Sequence, residues 1–266
     1  MTMWNTRYFE INEHEIESER LPEHFAGFSI MQISDLHDKE YGADNELLLA
    51  AIRAHRTDIF VVTGDLYDHE ERVALHLMSE LVKLGPTYYC TGNHEARVEP
   101  AYLAVEAEMR KLGVHVLRNE AEVIERGNDR LIIAGVDDPE FYLKTIDDSV
   151  VINDEIQEAL AMVKPGFTVL LSHRPELFAD YVANHIDVVF SGHAHGGQIR
   201  LPFKPFKEGI ASVNQGLAPK YTAGIHTMNQ TNMVVSRGLT NHVWLPRIMN
   251  PAELVIVRLQ IKKVAE

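Results

Sequence analysis

Aspartate, asparagine and histidine residues recur at five places in the chain, each directly after a short apolar run. These places carry the sequences DLH, GDLYD, GNHE, SH and GHAH. Carboxylate, amide and imidazole ligands without a thiolate suit Mn, Fe, Zn, Ni or Co. Seven residues are the candidate ligands: Asp35, His37, Asp65, Asn93, His173, His193 and His195. Seven ligands are too many for one tetrahedral ion, so the set predicts two divalent ions that share one bridging carboxylate.

Such a centre would attract anions. Two divalent ions bring four positive charges, of which Asp35 and Asp65 neutralise two, while Asn93 and neutral imidazoles neutralise none. The remaining positive charge complements a phosphate ester. Two ions about 3.5–4 Å apart can also lower the pKa of a bridging water and hold both oxygens of an in-line displacement. The residue types therefore favour metal-dependent hydrolysis of a phosphate ester.

The elements that must position these residues are short strands and amphipathic helices. Six apolar runs rich in β-branched residues predict strands that are covered on both faces. These runs are Phe28–Ser34, Asp58–Thr63, Thr87–Thr91, Leu131–Val136, Phe167–Ser172 and Ile186–Ser191. Helical periodicity occurs in the segments between them. The predicted helices are Asn45–Arg56, Glu71–Leu84, Pro100–Leu112, Asn153–Val163 and Glu176–Asn184. In the first helix, Leu47, Leu48, Ala51 and Ile52 are predicted to form the apolar face, with Asp44 as the N-cap.

Repeated strand–helix–strand order predicts an α/β fold with parallel segments. After Gly196 the pattern changes to short alternating segments, such as Met233–Ser236 and Leu254–Leu259, which predict a partly antiparallel sheet. We therefore expect a single domain, 1–266, with two mixed β-sheets packed together. Ligands of open α/β sheets bind at the carboxyl ends of the strands, which is where the five polar segments occur.

Composition excludes several classes of protein. The 266 residues include 25 basic and 39 acidic ones, and the formal net charge of −14 disfavours a protein that coats nucleic acid. Cys90 is the only cysteine, which excludes an internal disulfide and a thiolate metal cluster. The chain has no apolar run of membrane-spanning length, and Met1–Gly27 has no apolar signal segment. We expect a cytoplasmic enzyme for a small phosphate ester, with no nucleic-acid partner and no membrane span.

The five polar segments, in this order, resemble the calcineurin-like metallophosphoesterase superfamily. Other stretches, including AGFSIMQISDLH, SGHAHGGQ and NPAELVIV, are similar to a bacterial branch of phosphodiesterases. Some members of that branch act on UDP-diacylglucosamine or on other cell-envelope phosphates. The resemblance implies a four-layer sandwich of two β-sheets flanked by helices. Many relatives begin with a membrane anchor or an export signal, which this sequence does not show, and His69 stands where protein phosphatases have an arginine.

The resemblance also implies a role for each site residue. One metal would be bound by Asp35, His37, Asp65 and His195, and the other by Asp65, Asn93, His173 and His193. The two ions, with Mn²⁺ as the first candidate, would bind a hydroxide that attacks phosphorus in line. His94 would then protonate the leaving oxygen, and Asp68 would orient His94.

Three arginines, Arg97, Arg174 and Arg237, could each bind phosphate or form an ordinary ion pair. The sequence leaves the preference for a diester over a monoester open. It also leaves open a nuclease of the same superfamily and a metal-binding scaffold without activity. The oligomeric state is not predicted.

Overall fold

The computed structural model describes residues 9–240 and 246–262. The first strands of these residues are β1 (Phe9–Ser18), β2 (Ser29–Ile33), β3 (Ile59–Thr63), β4 (Thr87–Cys90), β5 (His115–Val116), β6 (Glu120–Arg126) and β7 (Asp129–Gly135). The later strands are β8 (Phe167–Leu171), β9 (Val188–Ser191), β10 (Ala211–Ser212), β11 (Gly216–Leu217), β12 (Gly224–Met228), β13 (Thr231–Val235) and β14 (Ala252–Ile261). The α-helices are α1 (Glu46–Ala54), α2 (Glu71–Leu84), α3 (Asn93–Arg97), α4 (Glu99–Leu112), α5 (Asp148–Leu160) and α6 (Phe178–Ala183).

Two six-stranded mixed sheets carry the architecture. The first has the strand order β1-β14-β2-β3-β4-β5, and the second has the order β12-β13-β9-β8-β7-β6. Strands β2, β3, β4 and β5 are parallel in the first sheet, as are β13, β9, β8 and β7 in the second. Antiparallel pairs are β14 with β2, β12 with β13, and β6 with β7. The expected pair of mixed sheets is confirmed.

Three apolar layers hold the sheets and helices together. The central layer joins the inner faces of both sheets, with residues such as Ile30 and Val61 from one and Val169 and Phe190 from the other. Helices α1, α2 and α4 cover the outer face of the first sheet, and α5 and α6 cover that of the second. Because both faces of the central strands are buried, their sequences are continuously apolar, which is why the strand predictions fell close to the observed bounds.

Strand β1 was not predicted. Its sequence FEINEHEIES alternates apolar and charged residues and is paired in parallel along its whole length with β14, from Phe9 with Ala252 to Ser18 with Ile261. Met1–Gly27 is the segment in which the sequence shows no apolar signal. Its first eight residues lie outside the part of the chain that the structure describes. None of the helices in that part combines the length and apolar character that crossing a bilayer requires.

The predicted apolar face of the first helix was wrong at one position. The buried side chains of α1 are Leu48, Leu49 and Ile52, whereas Leu47 is 49% exposed. The helix also begins later than predicted, because the backbones of Asp44 and Asn45 have φ angles of 50° and 59°. Neither residue caps the helix; the Asn45 side chain instead accepts a hydrogen bond from the Tyr41 N–H at 2.8 Å.

Helix α5 carries a carboxyl group on its buried face. Glu155 is 2% exposed, and its carboxyl group lies near the side chains of Tyr142 and Asn119 without a hydrogen bond of 3.5 Å or less to either. Burial and, after it, the negative charge of Asp137 raise the pKa of Glu155 to about 9. An unfolded chain releases this proton near pH 4.3. The folded state therefore loses stability as the pH rises from about 4.5 to about 9, since it holds the proton more tightly than the unfolded state does.

We expect Glu155→Gln to remove that pH dependence. The variant should have a free energy of unfolding about 1–3 kcal/mol above that of the wild type at pH 8 and about equal to it at pH 4.5. Urea denaturation at both pH values measures the difference, with Glu158→Gln on the exposed side of the same helix as the control. Parallel pH profiles for Glu155→Gln and the wild type would contradict the expectation.

Candidate metal centre

The polar segments meet where the carboxyl ends of β2, β3 and β4 adjoin those of β8 and β9. Several hydrogen bonds join the two sheets at this edge. The buried side chain of Gln32, on β2, donates to the Thr63 hydroxyl and to the Ser191 carbonyl, both at 2.9 Å. Nδ1 of His173 contacts the Thr63 carbonyl at 2.7 Å. The two sheets therefore present their polar residues to one shared space.

The first cluster consists of Asp35, His37, Asp65 and His195, all buried. One candidate ligand atom from each residue lies within 4.8 Å of the corresponding atoms of the others. Nε2 of His37 is 3.6 Å from Oδ2 of Asp65, and Nε2 of His195 is 3.6 Å from Oδ1 of Asp35. Two carboxylates and two imidazoles around one point form a donor set that suits a first-row divalent cation.

The second cluster consists of Asp65, His173 and His193, with the same spacing of its ligand atoms. Nε2 of His173 lies 3.2 Å from Oδ2 of Asp65. Burial alone would raise the pKa of Asp65, but the neighbouring His173 and His37 outweigh it and hold that pKa well below its usual range. Asp65 belongs to both clusters, so one ionised carboxylate faces two groups of histidines.

Asn93 adjoins the second cluster in an orientation that fits a cation. Its amide oxygen lies 2.8 Å from Nδ1 of His193, and its amide nitrogen faces the guanidinium of Arg97. Two hydrogen-bond acceptors facing each other repel unless the amide turns over or a cation lies next to both. Oδ2 of Asp35 is also buried without a hydrogen-bond partner among the described residues. These unsatisfied acceptors fit a pair of metal ions.

Backbone carbonyls set the ring orientation of two candidate ligands. The Nδ1–H of His173 donates to the Thr63 carbonyl, and that of His195 donates to the Thr240 carbonyl at 3.1 Å. The other ring nitrogen then points into the site, where it would bind a metal as neutral histidine. Burial lowers the pKa of His173, but the Asp65 carboxylate at Nε2 outweighs burial and raises it to about 10, so without a metal Nε2 holds a proton against Asp65. Burial, opposed by the charge of Asp35, lowers the pKa of His195 to about 4 and keeps it neutral.

His94 and Asp68 lie beside the first cluster. Nδ1 of His94 is 2.7 Å from Oδ1 of Asp68, and Nδ1 of His37 is 3.2 Å from Oδ2 of the same carboxylate. Burial raises the pKa of Asp68, but the hydrogen bonds from His37 and His94 exceed that effect and lower the pKa below its usual range. Asp68 therefore orients a candidate ligand as well as His94. The contact with His37 was not predicted.

Two carboxylates that the sequence analysis overlooked shape the loops of the site. The buried Glu95 side chain accepts hydrogen bonds from four backbone N–H groups, those of Asp65, Leu66, Tyr67 and Gly92, at 2.8–3.0 Å. Asp38 accepts from the backbone N–H groups of Asp68, His69 and Glu70 at 2.6–3.1 Å. Their positions in GNHE and DLHD were a possible signal, because acidic residues commonly bond nearby N–H groups.

Close approach of backbones explains the glycines in these segments. A Cβ on Gly92 would lie 2.6 Å from the backbone nitrogen of Asp65 and would overlap its side chain. A Cβ on Gly192 would lie 2.5 Å from Oδ2 of Asp35, and one on Gly238 would lie 2.6 Å from Cβ of that residue. Any side chain at these positions would displace a candidate ligand.

The three candidate arginines differ in their surroundings. Arg174 is buried and bound to Asp138 by two hydrogen bonds of 2.5 and 2.6 Å. Arg237 contacts Glu253 at 2.8 Å and Glu10 at 2.9 Å. Both form internal ion pairs. Arg97, at the end of α3, instead lies next to His94 and Asn93.

The chain is similar to known proteins in its sequence and in its fold. The calcineurin-like phosphoesterase family matches residues 28–197. The metallophosphoesterase YkuE of Bacillus subtilis is 28% identical over 240 residues, which cover 86% of this chain and 78% of YkuE. The phosphodiesterase YaeI of Escherichia coli is 24% identical over 245 residues, covering 87% and 82% of the two chains.

A solved structure shows the same fold. TT1561 of Thermus thermophilus superposes with a TM-score of 0.55 at 12% sequence identity, covering 80% of this chain and 91% of its own. The family match includes all five polar segments up to GHAH and well over half of the chain. This protein therefore belongs to the calcineurin-like phosphoesterase family.

Proposed function

We propose that the protein is a phosphodiesterase that depends on two divalent metal ions. The observation that carries this proposal is the position of Asp65, whose carboxylate is shared by two groups of ligand atoms, each within 4.8 Å. Asp35, His37, Asp65 and His195 would hold one ion, and Asp65, Asn93, His173 and His193 the other. The ligands are nitrogen and oxygen atoms only, a set compatible with Mn²⁺, which we take as the first metal to test, and with Fe, Zn, Ni or Co.

When bound, the two ions would supply a water nucleophile of lowered pKa and neutralise charge on the phosphate. The protein contributes orientation and a proton. His94 is 15% exposed in its side chain, so its ring reaches the open side of the site. The Asp68 carboxylate contacts Nδ1 at 2.7 Å and directs Nε2 away from Asp68. From that position His94 would donate the proton to the leaving oxygen of the ester.

One comparison supports a diester as the substrate. YaeI, which is similar to this chain over most of its length, is named a phosphodiesterase. Hydrolysis of a diester or of a monoester expels an alkoxide or phenoxide, and a general acid accelerates that departure in either case. His94, oriented by Asp68, would be this general acid. The nucleophile would be water, so no serine or cysteine nucleophile is needed.

We expect activity to follow metal content. After EDTA treatment and removal of the chelate, hydrolysis of bis-p-nitrophenyl phosphate should fall by at least about 10²-fold, and Mn²⁺ should restore it. Parallel assays with p-nitrophenyl phosphate and with duplex DNA at several salt concentrations distinguish a monoesterase and a nuclease from a diesterase. Full activity in protein shown by elemental analysis to be metal-free would contradict the two-metal proposal. Metal binding without turnover of any ester would indicate a scaffold instead.

A further inference from the structure

Arg97 lies at the open side of the metal centre, one helical turn after His94. Its side chain is 48% exposed. Nη1 is 3.3 Å from Nε2 of His94, and Nη1 and Nη2 lie 3.1 and 3.0 Å from the side-chain amide of Asn93. The planar end of the guanidinium therefore borders both the proposed general acid and a proposed metal ligand.

As Asn93 is oriented, its side chain offers that end of Arg97 no acceptor, and Nη1 has the contact with Nε2 of His94 at 3.3 Å. With the amide oxygen directed at His193, the amide nitrogen faces Nη1 and Nη2 of Arg97, so that donors oppose donors. Turning the amide over would satisfy Arg97, but it would withdraw the oxygen from the second cluster. In the arrangement required by the proposed function, the amide nitrogen and the guanidinium are thus two adjacent donor groups 3.0–3.1 Å apart, and an anionic oxygen beside both would relieve their repulsion.

The carboxylate nearest to Arg97 leaves these donors available. Oε1 of Glu140 contacts Nε of Arg97 at 3.5 Å, which is the other edge of the guanidinium. Glu140 is shared with Lys144 at 3.1 Å and with Arg174 at 3.5 Å. Glu140 therefore positions the arginine loosely without occupying its terminal nitrogens.

We propose that Arg97, together with the amide nitrogen of Asn93, binds a non-bridging oxygen of the substrate phosphoryl group. Arginine suits this task because its nitrogens form a fixed fork that matches two oxygens of a phosphate. The assignment separates Arg97 from Arg174 and Arg237, whose guanidinium groups are bound to internal carboxylates. The assignment of Arg97 rests on the proposed function, because the phosphoryl group belongs to the proposed substrate. Binding of inorganic phosphate tests the assignment even if no ester is hydrolysed.

The experiment compares Arg97→Ala and Arg97→Lys with Arg53→Ala as the matched control. Arg53 is 49% exposed and also pairs with a glutamate, Glu80, but it lies on α1. Each protein, loaded with Mn²⁺ and checked for metal content, is titrated with inorganic phosphate by calorimetry. The KM and kcat for bis-p-nitrophenyl phosphate are measured in parallel.

We expect Arg97→Ala to weaken phosphate binding and to raise KM by about 10- to 100-fold, the usual loss for a charge-assisted hydrogen bond. The rise in KM should exceed any fall in kcat, because the contact exists in the ground state as well as in the transition state. Arg97→Lys should fall between Arg97→Ala and the wild type, since it keeps the charge and loses the fork. Metal content and the behaviour of Arg53→Ala should match the wild type.

If Arg97→Ala leaves the phosphate affinity and KM unchanged, the assignment is wrong. It is also wrong if that variant loses bound metal, because Arg97 would then only hold Asn93 in place. A wild type that binds phosphate through Arg97 but hydrolyses no ester would instead refute the proposed function alone.

Discussion

Replacing Asp65 with asparagine is expected to lower kcat/KM for bis-p-nitrophenyl phosphate by more than about 10³-fold, the largest loss of any single ligand substitution. Asp65 is the one residue common to both clusters of ligand atoms within the described ranges. Asparagine keeps the size of the side chain but removes its negative charge, so both ions would lose the attraction of an anion and could keep only a neutral amide oxygen at this position. The backbone N–H of His94, which donates to Oδ1 of Asp65 at 2.8 Å, would keep an acceptor only if the amide oxygen faces it.

Elemental analysis of the purified variant separates this loss from unfolding. We expect less than one bound metal ion per chain, together with a circular dichroism spectrum like that of the wild type. Asp44→Asn is the control, because Asp44 is also ion-paired, with Arg72, and its side chain is 66% exposed. A variant at Asp65 that retains two ions and full activity would refute the bridging role.

Replacing His94 with alanine is expected to lower kcat by about 10²- to 10⁴-fold, the usual contribution of a general acid. Metal content should stay unchanged, because His94 belongs to neither of the two clusters that include Asp65. The loss should be greater for an alkyl ester than for a p-nitrophenyl ester. An alkoxide needs protonation to depart, whereas p-nitrophenolate leaves readily without it.

Comparison of the two ester classes makes the test specific to proton donation. His115→Ala is the matched control, because Nδ1 of His115 also contacts a carboxylate, that of Glu122, at 2.8 Å. Loss of metal from His94→Ala would show that His94 is a ligand. An equal loss of rate for both leaving groups would assign it to substrate binding instead of to acid catalysis.

Much of the fold followed from local pattern. Both ends of β3 and of β8 lie within one residue of the predicted bounds, and α2 has the bounds that were predicted. These elements are buried on one or both faces, so their apolar residues repeat with the period of the element. Strand β1 was missed because its charged residues are partly exposed at a sheet edge, and its pairing with β14 joins segments that lie far apart in the chain.

The types of the site residues, and their order after successive strands, were likewise readable from the chain. Polar side chains that follow apolar strands must lie at a sheet edge, since their burial in the core would leave them unsatisfied. The same reasoning could not distinguish the three arginines. Their roles depend on the partner across the fold, which for Arg174 is Asp138 and for Arg97 is the side chain of Asn93.

The sequence by itself thus determined which donor atoms the protein has and at which strand ends they occur. Only the tertiary structure decided that Asp68 contacts both His37 and His94, and that Glu95 accepts hydrogen bonds from the N–H groups of two loops. The reason is physical. Apolar periodicity is a local property of the chain, whereas the direction of each polar side chain depends on how closely two separately formed sheets pack at their shared edge.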